Sequence, residues 1–199
     1  MAVCVSSLLK GVQASCLATH KVGGLDRRIW LGGLDDVDTV TFDTDANSIA
    51  TLTFKAGKGL VKYIGRAERN SAGSDVEPGD NVTIRRQSLN MAVYYETAAD
   101  LFNIDSLIDQ ERVFAIVETL PGSLEVFGIN KTNFNSFGLK VTANPGTSGV
   151  VINDSTAFAM VLSGGFTNLQ LQYKPAVALA TNIAALDAMT VDPVGGGSV

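Results

Sequence analysis

Residues 59–95 read GLVKYIGRAERNSAGSDVEPGDNVTIRRQSLNMAVYY, and this stretch decides the fold of the chain. It predicts two long strands, Leu60–Arg69 and Val82–Tyr95, which flank a long polar turn, Asn70–Asn81. Polar residues along both arms leave backbone donors and acceptors that need partners. A monomer blunts such an edge, whereas a ring-forming protein uses it. We therefore interpret the chain first as a building block of an assembly and only second as an enzyme.

The hydrophobic period changes after Tyr95. Leu101, Ile104 and the pair Leu107/Ile108 are spaced for one face of a helix, and Thr97 is a suitable N-cap. The sequence therefore predicts a short helix at this point.

Short strands with frequent turn signals make up most of the remaining chain. In Ser48–Lys55, strict alternation predicts that Ala50, Leu52 and Phe54 share one face and that Ile49 lies on the other. A turn at residues 121–123 follows a strand with a buried composition. The predicted strands are Arg28–Leu31, Val37–Phe42, Ser48–Lys55, Arg112–Glu118, Leu124–Ile129, Gly138–Thr142, Gly149–Ile152, Ala157–Leu162 and Leu169–Tyr173. This pattern predicts a mainly β fold, a β-sandwich or barrel with a long hairpin and one flanking short α-helix.

The 199 residues suit one β domain with extensions at both ends. We expect an N-terminal arm or short helix at residues 1–20, the β domain at 21–175, and a partly flexible C-terminal extension at 176–199. Lys10 interrupts the first apolar run, which argues against a signal peptide, and no run is apolar enough to span a membrane. The C-terminal extension includes a predicted helix near Ile183–Met189. The apolar stripe of the N-terminal helix is Val5, Leu8, Leu9 and Val12.

The charge content favours burial against other subunits. Charged residues make up 18% of the chain, below the share of about 25% in ordinary globular proteins. The net charge of −5 argues against a protein that grips nucleic acid, which needs a basic face. It is compatible with a protein past which nucleic acid slides.

The sequence lacks a convincing catalytic or metal-binding arrangement. His20 is the only histidine, and although Cys16 lies four residues before it, Lys21 and two glycines follow at once, which indicates a helix end. Cys4 and Cys16 are too few and too widely spaced for a disulfide framework or a zinc site. We therefore expect free thiols, no enzyme activity, no cofactor and no metal.

Acidic residues concentrate in two stretches. Asp43–Asn47 resembles the start of a calcium loop, but Ser48 and Phe54 occupy the positions that require glycine and glutamate. Residues 35–45 hold five acids without a basic residue, and residues 96–118 hold six acids against Arg112 alone. Two interpretations stay open: an ordinary solvated face, or a surface that repels a polyanion or docks on a basic patch.

The order of elements resembles the tail tube proteins of tailed bacteriophages and, more loosely, the tube proteins of contractile injection systems. The resemblance covers residues 20–175. The features that carry it are the Gly23-Gly24 turn, the hairpin ending in Ile84–Leu89, the helix Asp100–Ile108, the strands Val113–Glu118, Leu124–Ile129 and Gly138–Thr142, and the segment Ala157–Tyr173 with Gly164-Gly165 inside it.

The resemblance implies a virion structural protein. Six subunits would form a homohexameric ring, each lending strands to a β-barrel around a lumen. Stacked rings would make the tube through which DNA leaves the capsid without specific binding. Expected partners are further copies of the chain and other tail or neck proteins, with no membrane, and assembly would take place in the host bacterial cytoplasm.

Two groups of site residues follow from the hairpin. The first is a loop predicted to be mobile in the free subunit and to contact a neighbouring subunit or ring; its members are Asn70, Gly73, Asp75, Glu77, Pro78, Gly79 and Asp80. The second faces the lumen, because Lys62, Arg66 and Glu68 share the more polar face of the first arm. The other face, with Val61 and Tyr63, is predicted to pack on the subunit's own sandwich.

Two other interpretations remain at this stage. One is a head–tail joining or capsid-associated virion protein. The other, from a different class, is a monomeric β-sandwich module that binds a carbohydrate or peptide. The second predicts an aromatic groove, for which Trp30, Tyr63, Tyr94 and Tyr95 are the candidates.

Overall fold

Two β-sheets pack face to face, and an α-helix covers the outer face of the larger sheet. The structure is a computed structural model that describes residues 25–43, 47–64, 70–78, 83–94, 104–134, 136–143, 146–147 and 157–191. Among these residues neither sheet closes into a barrel. The expected mainly β fold with a helical flank is confirmed in its sandwich form.

The first sheet has seven strands in the order β2-β3-β12-β8-β7-β1-β4. These strands are β1 Leu25–Gly33, β2 Val37–Phe42, β3 Ser48–Phe54, β4 Val61–Ile64, β7 Val113–Thr119, β8 Leu124–Phe127 and β12 Leu171–Tyr173. Strand β12 runs parallel to β3, and the other neighbours in this sheet are antiparallel. A single 3-10 turn, Leu34–Asp36, connects β1 to β2.

The second sheet has five strands, of which β6 and β11 form the centre. Its members are β5 Ser71–Pro78, β6 Thr83–Tyr94, β9 Lys140–Ala143, β10 Gly146–Thr147 and β11 Ala157–Phe166. Both β9 and β10 pair with β11, and β5 pairs with the other side of β6. Helix α1 is described at residues 104–108, and helix α2 is Leu179–Ala188.

Strand β7 is buried on both faces and separates two hydrophobic cores. Val113, Ala115 and Val117 face the main core between the two sheets, together with Ile104 of α1. Phe114 and Ile116 face a second core on the other side of the first sheet. The composition of the predicted strand Arg112–Glu118 indicated this burial, since a strand covered on both faces is apolar without alternation, as residues 113–117 are.

The second core lies inside a curl of the first sheet and beneath α2. Phe54 of β3 stacks on Phe114 of β7 with ring centroids 6.3 Å apart, although β12 and β8 lie between these strands in the sheet. Leu186 of α2 is fully buried in the same core. Residues 176–191 therefore pack as part of the same folded unit as the sheets, and the helix predicted near Ile183–Met189 is confirmed as Leu179–Ala188.

The predicted long hairpin is wrong in its first arm. Val61–Ile64 pairs with β1 in the first sheet, and residues 71–78, predicted to be a loop, form β5 and pair with β6 along their whole length. Serine, glycine and aspartate are typical of turns, which is why this strand was predicted as a loop. The ladder to β6 and the packing of Ala72 on the main core outweigh that preference.

The predicted alternation in β3 is also wrong. Ile49 and Leu52 are both buried in the second core, whereas Ala50 is exposed. The pairing with β2 shifts here, because Thr41 faces Thr51 while Phe42 faces Ile49. This bulge places one extra residue in β3, so Ile49 lies on the same buried side as Leu52 instead of on the opposite side.

The other strand predictions hold with small changes at the ends. Strand β8 ends at Phe127 because Gly128 has a φ of +93°, and β11 extends four residues beyond its predicted end. The predicted helix after Tyr95 is confirmed at residues 104–108, where Ile104 and Leu107 are buried. The predicted N-terminal arm, its Gly23-Gly24 turn, the strand Gly149–Ile152 and the glycine-rich tail lie outside the described residues.

Candidate functional site: the β5–β6 hairpin and its outer face

Strands β5 and β6 form a hairpin at one edge of the second sheet. Their pairing runs from Ser71–Asn90 to Pro78–Thr83. Near the far end of the hairpin, Val76 is 57% exposed and Ile84 is 43% exposed. These two side chains lie on opposite faces of the hairpin, because Val76 pairs with Arg85 and Ile84 with Glu77. The end of the hairpin thus presents apolar surface on both sides.

The outer edge of β5 pairs with no other strand among the described residues. Such an edge offers a row of backbone donors and acceptors to another chain. Glu77 and Arg86 pair across the hairpin at 2.8 Å and 3.0 Å. The hydrogen bond from Arg86 and its positive charge lower the pKa of the Glu77 carboxyl.

The inner face of the hairpin is anchored to the rest of the sandwich. Gln87 is fully buried; its Oε1 accepts the Gly128 amide at 2.8 Å, and its Nε2 donates to the Asn168 carbonyl at 3.0 Å. Ser74 hydrogen-bonds to Gln170 at 2.8 Å. Strand alternation places Gln87 on the same face as Leu89 and Met91, and this is the signal from which its inward orientation was predictable. These contacts fix the hairpin against the first sheet.

The outer face of the second sheet carries mainly small and polar side chains, together with the apolar Ile84, which lies opposite Glu77, and Val161, which lies opposite Asn90. The pairing identifies the residues on this face. Leu89 and Leu162 point into the main core, so the residues next to them in each strand, and the partners of those residues across the ladder, point outward. Among the described residues, the ionic groups on this face are two acids, Asp75 and Glu77, and two bases, Arg86 and Lys140. The remaining small or polar members are Ser71, Gly73, Ser88, Asn90, Thr142, Ser163 and Gly165.

The structure accounts for five of the seven residues predicted to form an inter-subunit loop. Gly73, Asp75, Glu77 and Pro78 lie on β5. Asn70 lies just before this strand and is buried; its Oδ1 accepts the Ala92 amide at 3.1 Å, whereas its Nδ2 has no hydrogen-bond partner. Gly79 and Asp80 lie outside the described residues. A contact of these residues with a neighbouring subunit stays a prediction.

Lys62, predicted to face a lumen, is held against α2. Its Nζ donates to Asp187 Oδ1 at 2.8 Å and lies 5.6 Å from the centre of the Trp30 ring. Tyr63 packs on the main core, as expected for the opposite face of the strand. The other two predicted lumen residues, Arg66 and Glu68, lie outside the part of the chain that the structure describes.

Asp187 is the centre of a polar cluster on the outer face of the first sheet. Its Oδ1 also accepts the Trp30 Nε1–H at 3.0 Å. Partial burial acts to raise the pKa of Asp187, but hydrogen bonds from Lys62 and Trp30 and the charges of Lys62 and Arg28 outweigh it and lower the pKa. Beside this group, Arg28 binds the buried Glu118 through two hydrogen bonds of 2.7 Å and 3.0 Å.

Some acids of the first acidic stretch have basic partners from distant parts of the chain. Arg112 pairs with Asp35, and Lys58 pairs with Asp36 at 3.2 Å. These two carboxylates are therefore neutralised locally, which weakens the interpretation of this stretch as a surface that repels a polyanion.

A shallow cleft of about 200 Å³ lies between the β7–β8 turn and the start of α2. Tyr173, Lys174 and Ser123 line it, and burial raises the pKa of Tyr173. Trp30 is fully buried, so it cannot form an exposed aromatic groove with Tyr63, which packs on the main core. Tyr94 lies on β6 and Tyr95 lies outside the described residues. The cleft contains none of the four aromatic residues expected for a binding module.

In the described ranges, no three histidine, cysteine, aspartate or glutamate side chains are grouped to hold a metal ion. His20, Cys4 and Cys16 fall outside these ranges. None of the helices described has the length and hydrophobicity needed to cross a membrane.

The comparisons with known proteins give no relative. No family model, no curated protein and no solved structure matches the chain.

Proposed function

We propose that the protein is a tail tube subunit of the tailed-bacteriophage type, which forms stacked hexameric rings around a channel for DNA. The observation that carries the proposal is the β5–β6 hairpin, which combines an open strand edge with exposed apolar side chains, Val76 and Ile84, near its end. Pairing this edge with the next subunit would cover the open backbone groups of β5, and the added strand would contact Val76 on the inner face of the hairpin.

The outer face of the second sheet supports the same proposal and supplies the channel wall. A wall of hydroxyl and amide side chains, two acids, two bases and the apolar Ile84 and Val161 has little net charge, so it would neither grip nor strongly repel a polyanion. We assign the wall to this face instead of β4, because Lys62 of β4 is already engaged by Asp187.

The assembly is tested with one substitution on the hairpin and a matched control. Purified wild-type protein is expected to form rings or tubes with a central channel, observed by electron microscopy and by light scattering after size-exclusion chromatography. Val76→Lys is expected to stay folded and to remain monomeric, since a charge replaces an apolar contact on the proposed interface. Val177→Lys alters a side chain that is 96% exposed elsewhere on the molecule and is expected to leave assembly intact.

Two outcomes contradict the proposal. Wild-type protein that stays monomeric at high concentration rules out a tube subunit and favours a monomeric binding module. Normal tubes from the Val76→Lys variant show that the hairpin edge is not the interface.

The position of the channel wall is tested with thiol labelling. After Cys4 and Cys16 are replaced by serine, Asn90→Cys places a thiol on the outer face of the second sheet, and Thr39→Cys places one on exposed β2. In intact, end-capped tubes a bulky thiol reagent is expected to spare position 90 and to label position 39. Equal labelling of both positions means that the second sheet faces outward.

A further inference from the structure

Helix α2 has few features that stabilise a helix by itself. It has 10 residues, fewer than the roughly 12–15 at which isolated helices become even marginally stable. Its N-cap, Ala178, makes no side-chain capping bond, and it has no acid in the first turn and no base in the last. Asp187 in the last turn opposes the helix dipole. The helix therefore depends on its contacts with the first sheet.

Those contacts form a narrow line. Leu186 is fully buried, and Leu179, Ile183 and Met189 are partly buried against the second core. Ala180, Ala184 and Ala188 are exposed, so the opposite side of the helix contributes no burial. Strand β7, in contrast, is buried on both faces and hydrogen-bonded on both sides. The apolar burial that holds α2 is correspondingly small.

Polar and backbone bonds at the C-terminal end of α2 complete the attachment. Asp187 Oδ1 accepts hydrogen bonds from Lys62 and Trp30. The Leu60 amide donates to the Met189 carbonyl at 2.9 Å, and the Val191 amide donates to the Leu60 carbonyl at 2.9 Å. All of these bonds join residues 187–191 to β1, β4 or the residue before β4, so they form and break together.

We propose that α2 and residues 189–191 form a strap that undocks from the first sheet as one unit while the two-sheet sandwich stays folded. Undocking breaks the bonds of Asp187 and Met189 and uncovers the indole of Trp30 and the side chain of Leu60, both of which are fully buried in the closed form. The strap thereby makes an apolar part of the first sheet accessible only part of the time. The proposal does not depend on the tube function.

Native-state hydrogen exchange by NMR on the full chain tests the strap. The amides of Leu186 and Leu60 are expected to exchange through one common opening whose urea dependence is measurable but smaller than that of global unfolding. The Ile116 amide of β7 is expected to exchange only through global unfolding. Leu60 is the decisive reporter, because its amide lies outside α2 but donates to the Met189 carbonyl.

The Asp187→Asn variant distinguishes undocking of the whole strap from ordinary fraying of the end of α2. It removes the ion pair with Lys62 and is expected to speed exchange at Leu60 and Leu186 by about threefold to tenfold, the range for a partly exposed charged hydrogen bond. Exchange at Ile116 is expected to stay unchanged. Asp105→Asn on α1 makes the same chemical change at an exposed position and is expected to alter none of the three rates. Acrylamide quenching of Trp30, the only tryptophan, is expected to rise in the Asp187→Asn variant alone.

Three results overturn the proposal. One is wild-type exchange at Leu60 and Leu186 with the same free energy and urea dependence as at Ile116. Another is an equal acceleration of all three amides by Asp187→Asn, which reports global destabilisation. The third is no acceleration at Leu60 in that variant.

Discussion

Replacement of Gln87 by leucine tests how the hairpin is anchored to the sandwich. The two side chains are similar in volume, but leucine cannot accept the Gly128 amide or donate to the Asn168 carbonyl. The Gly128 amide is buried, so its loss of a partner costs about 1–3 kcal/mol. The Asn168 carbonyl lies in a partly exposed loop, where water replaces part of the lost bond. Since leucine also gains some apolar burial, we expect a net loss of about 2 kcal/mol in the free energy of unfolding.

Urea unfolding followed by circular dichroism measures this loss. For a chain of this size, a loss of about 2 kcal/mol also lowers Tm by roughly 4–8 °C. Gln172→Leu is the matched control, because Gln172 is exposed on β12, and its unfolding free energy is expected to stay within about 0.5 kcal/mol of wild type. If Gln87→Leu unfolds at the same urea concentration as the control, the buried amide does not anchor the hairpin and the argument fails.

Two further predictions concern backbone conformation and high pH. Gly128→Ala is expected to lower the free energy of unfolding by more than about 3 kcal/mol, because Gly128 has a φ of +93° and a Cβ would lie 2.7 Å from the Val113 carbonyl oxygen. Gly57 has a φ of +74° but open space around it, so Gly57→Ala is expected to cost only about 1 kcal/mol in the same urea assay. Burial raises the pKa of Tyr63 to about 12, above the value of about 10 for an unfolded tyrosine. The stability that neutral, buried Tyr63 contributes is therefore fully present below pH 10 and is lost as the pH rises through 12. Tyr63→Phe is expected to reduce this alkaline loss, measured as stability at pH 9 and pH 11.5, and an identical loss in both proteins contradicts the assignment.

The parts of the fold that the sequence predicted well are those in which local pattern and burial agree. The first five residues of β7 are apolar without alternation because both faces of the strand are covered, and Val37–Phe42 has the same bounds in the prediction and in the structure. The turn at residues 121–123 was predictable because Pro121, Gly122 and Ser123 are typical turn residues, and Gly122 adopts a φ of +87°. In each case, residues within a few positions of one another in the sequence are enough to predict the local structure.

The errors arise where distant residues decide the structure. Residues 71–78 are polar enough to be predicted as a loop, and only their partner β6 makes them a strand. The bulge at Ala50 depends on the register with β2, which alternation along one strand does not contain. The same holds at the candidate site: Lys62 was predicted to face a lumen from the polar face of its strand, and its contact with Asp187, 125 positions away in the sequence, is not contained in that local pattern.

The edge of β5 carries features that limit pairing as well as features that invite it. Charged residues and proline are common devices against edge-to-edge aggregation, and Glu77 and Pro78 occupy the end of this strand. However, the Glu77 carboxylate is paired with Arg86 within the same hairpin, and Pro78 is the last residue of β5, so Ser71–Val76 remains free of proline. Glu77 and Pro78 therefore restrict the length of an added strand without preventing its addition. In the ring that we propose, the neighbouring subunit would therefore pair with residues 71–76 of β5.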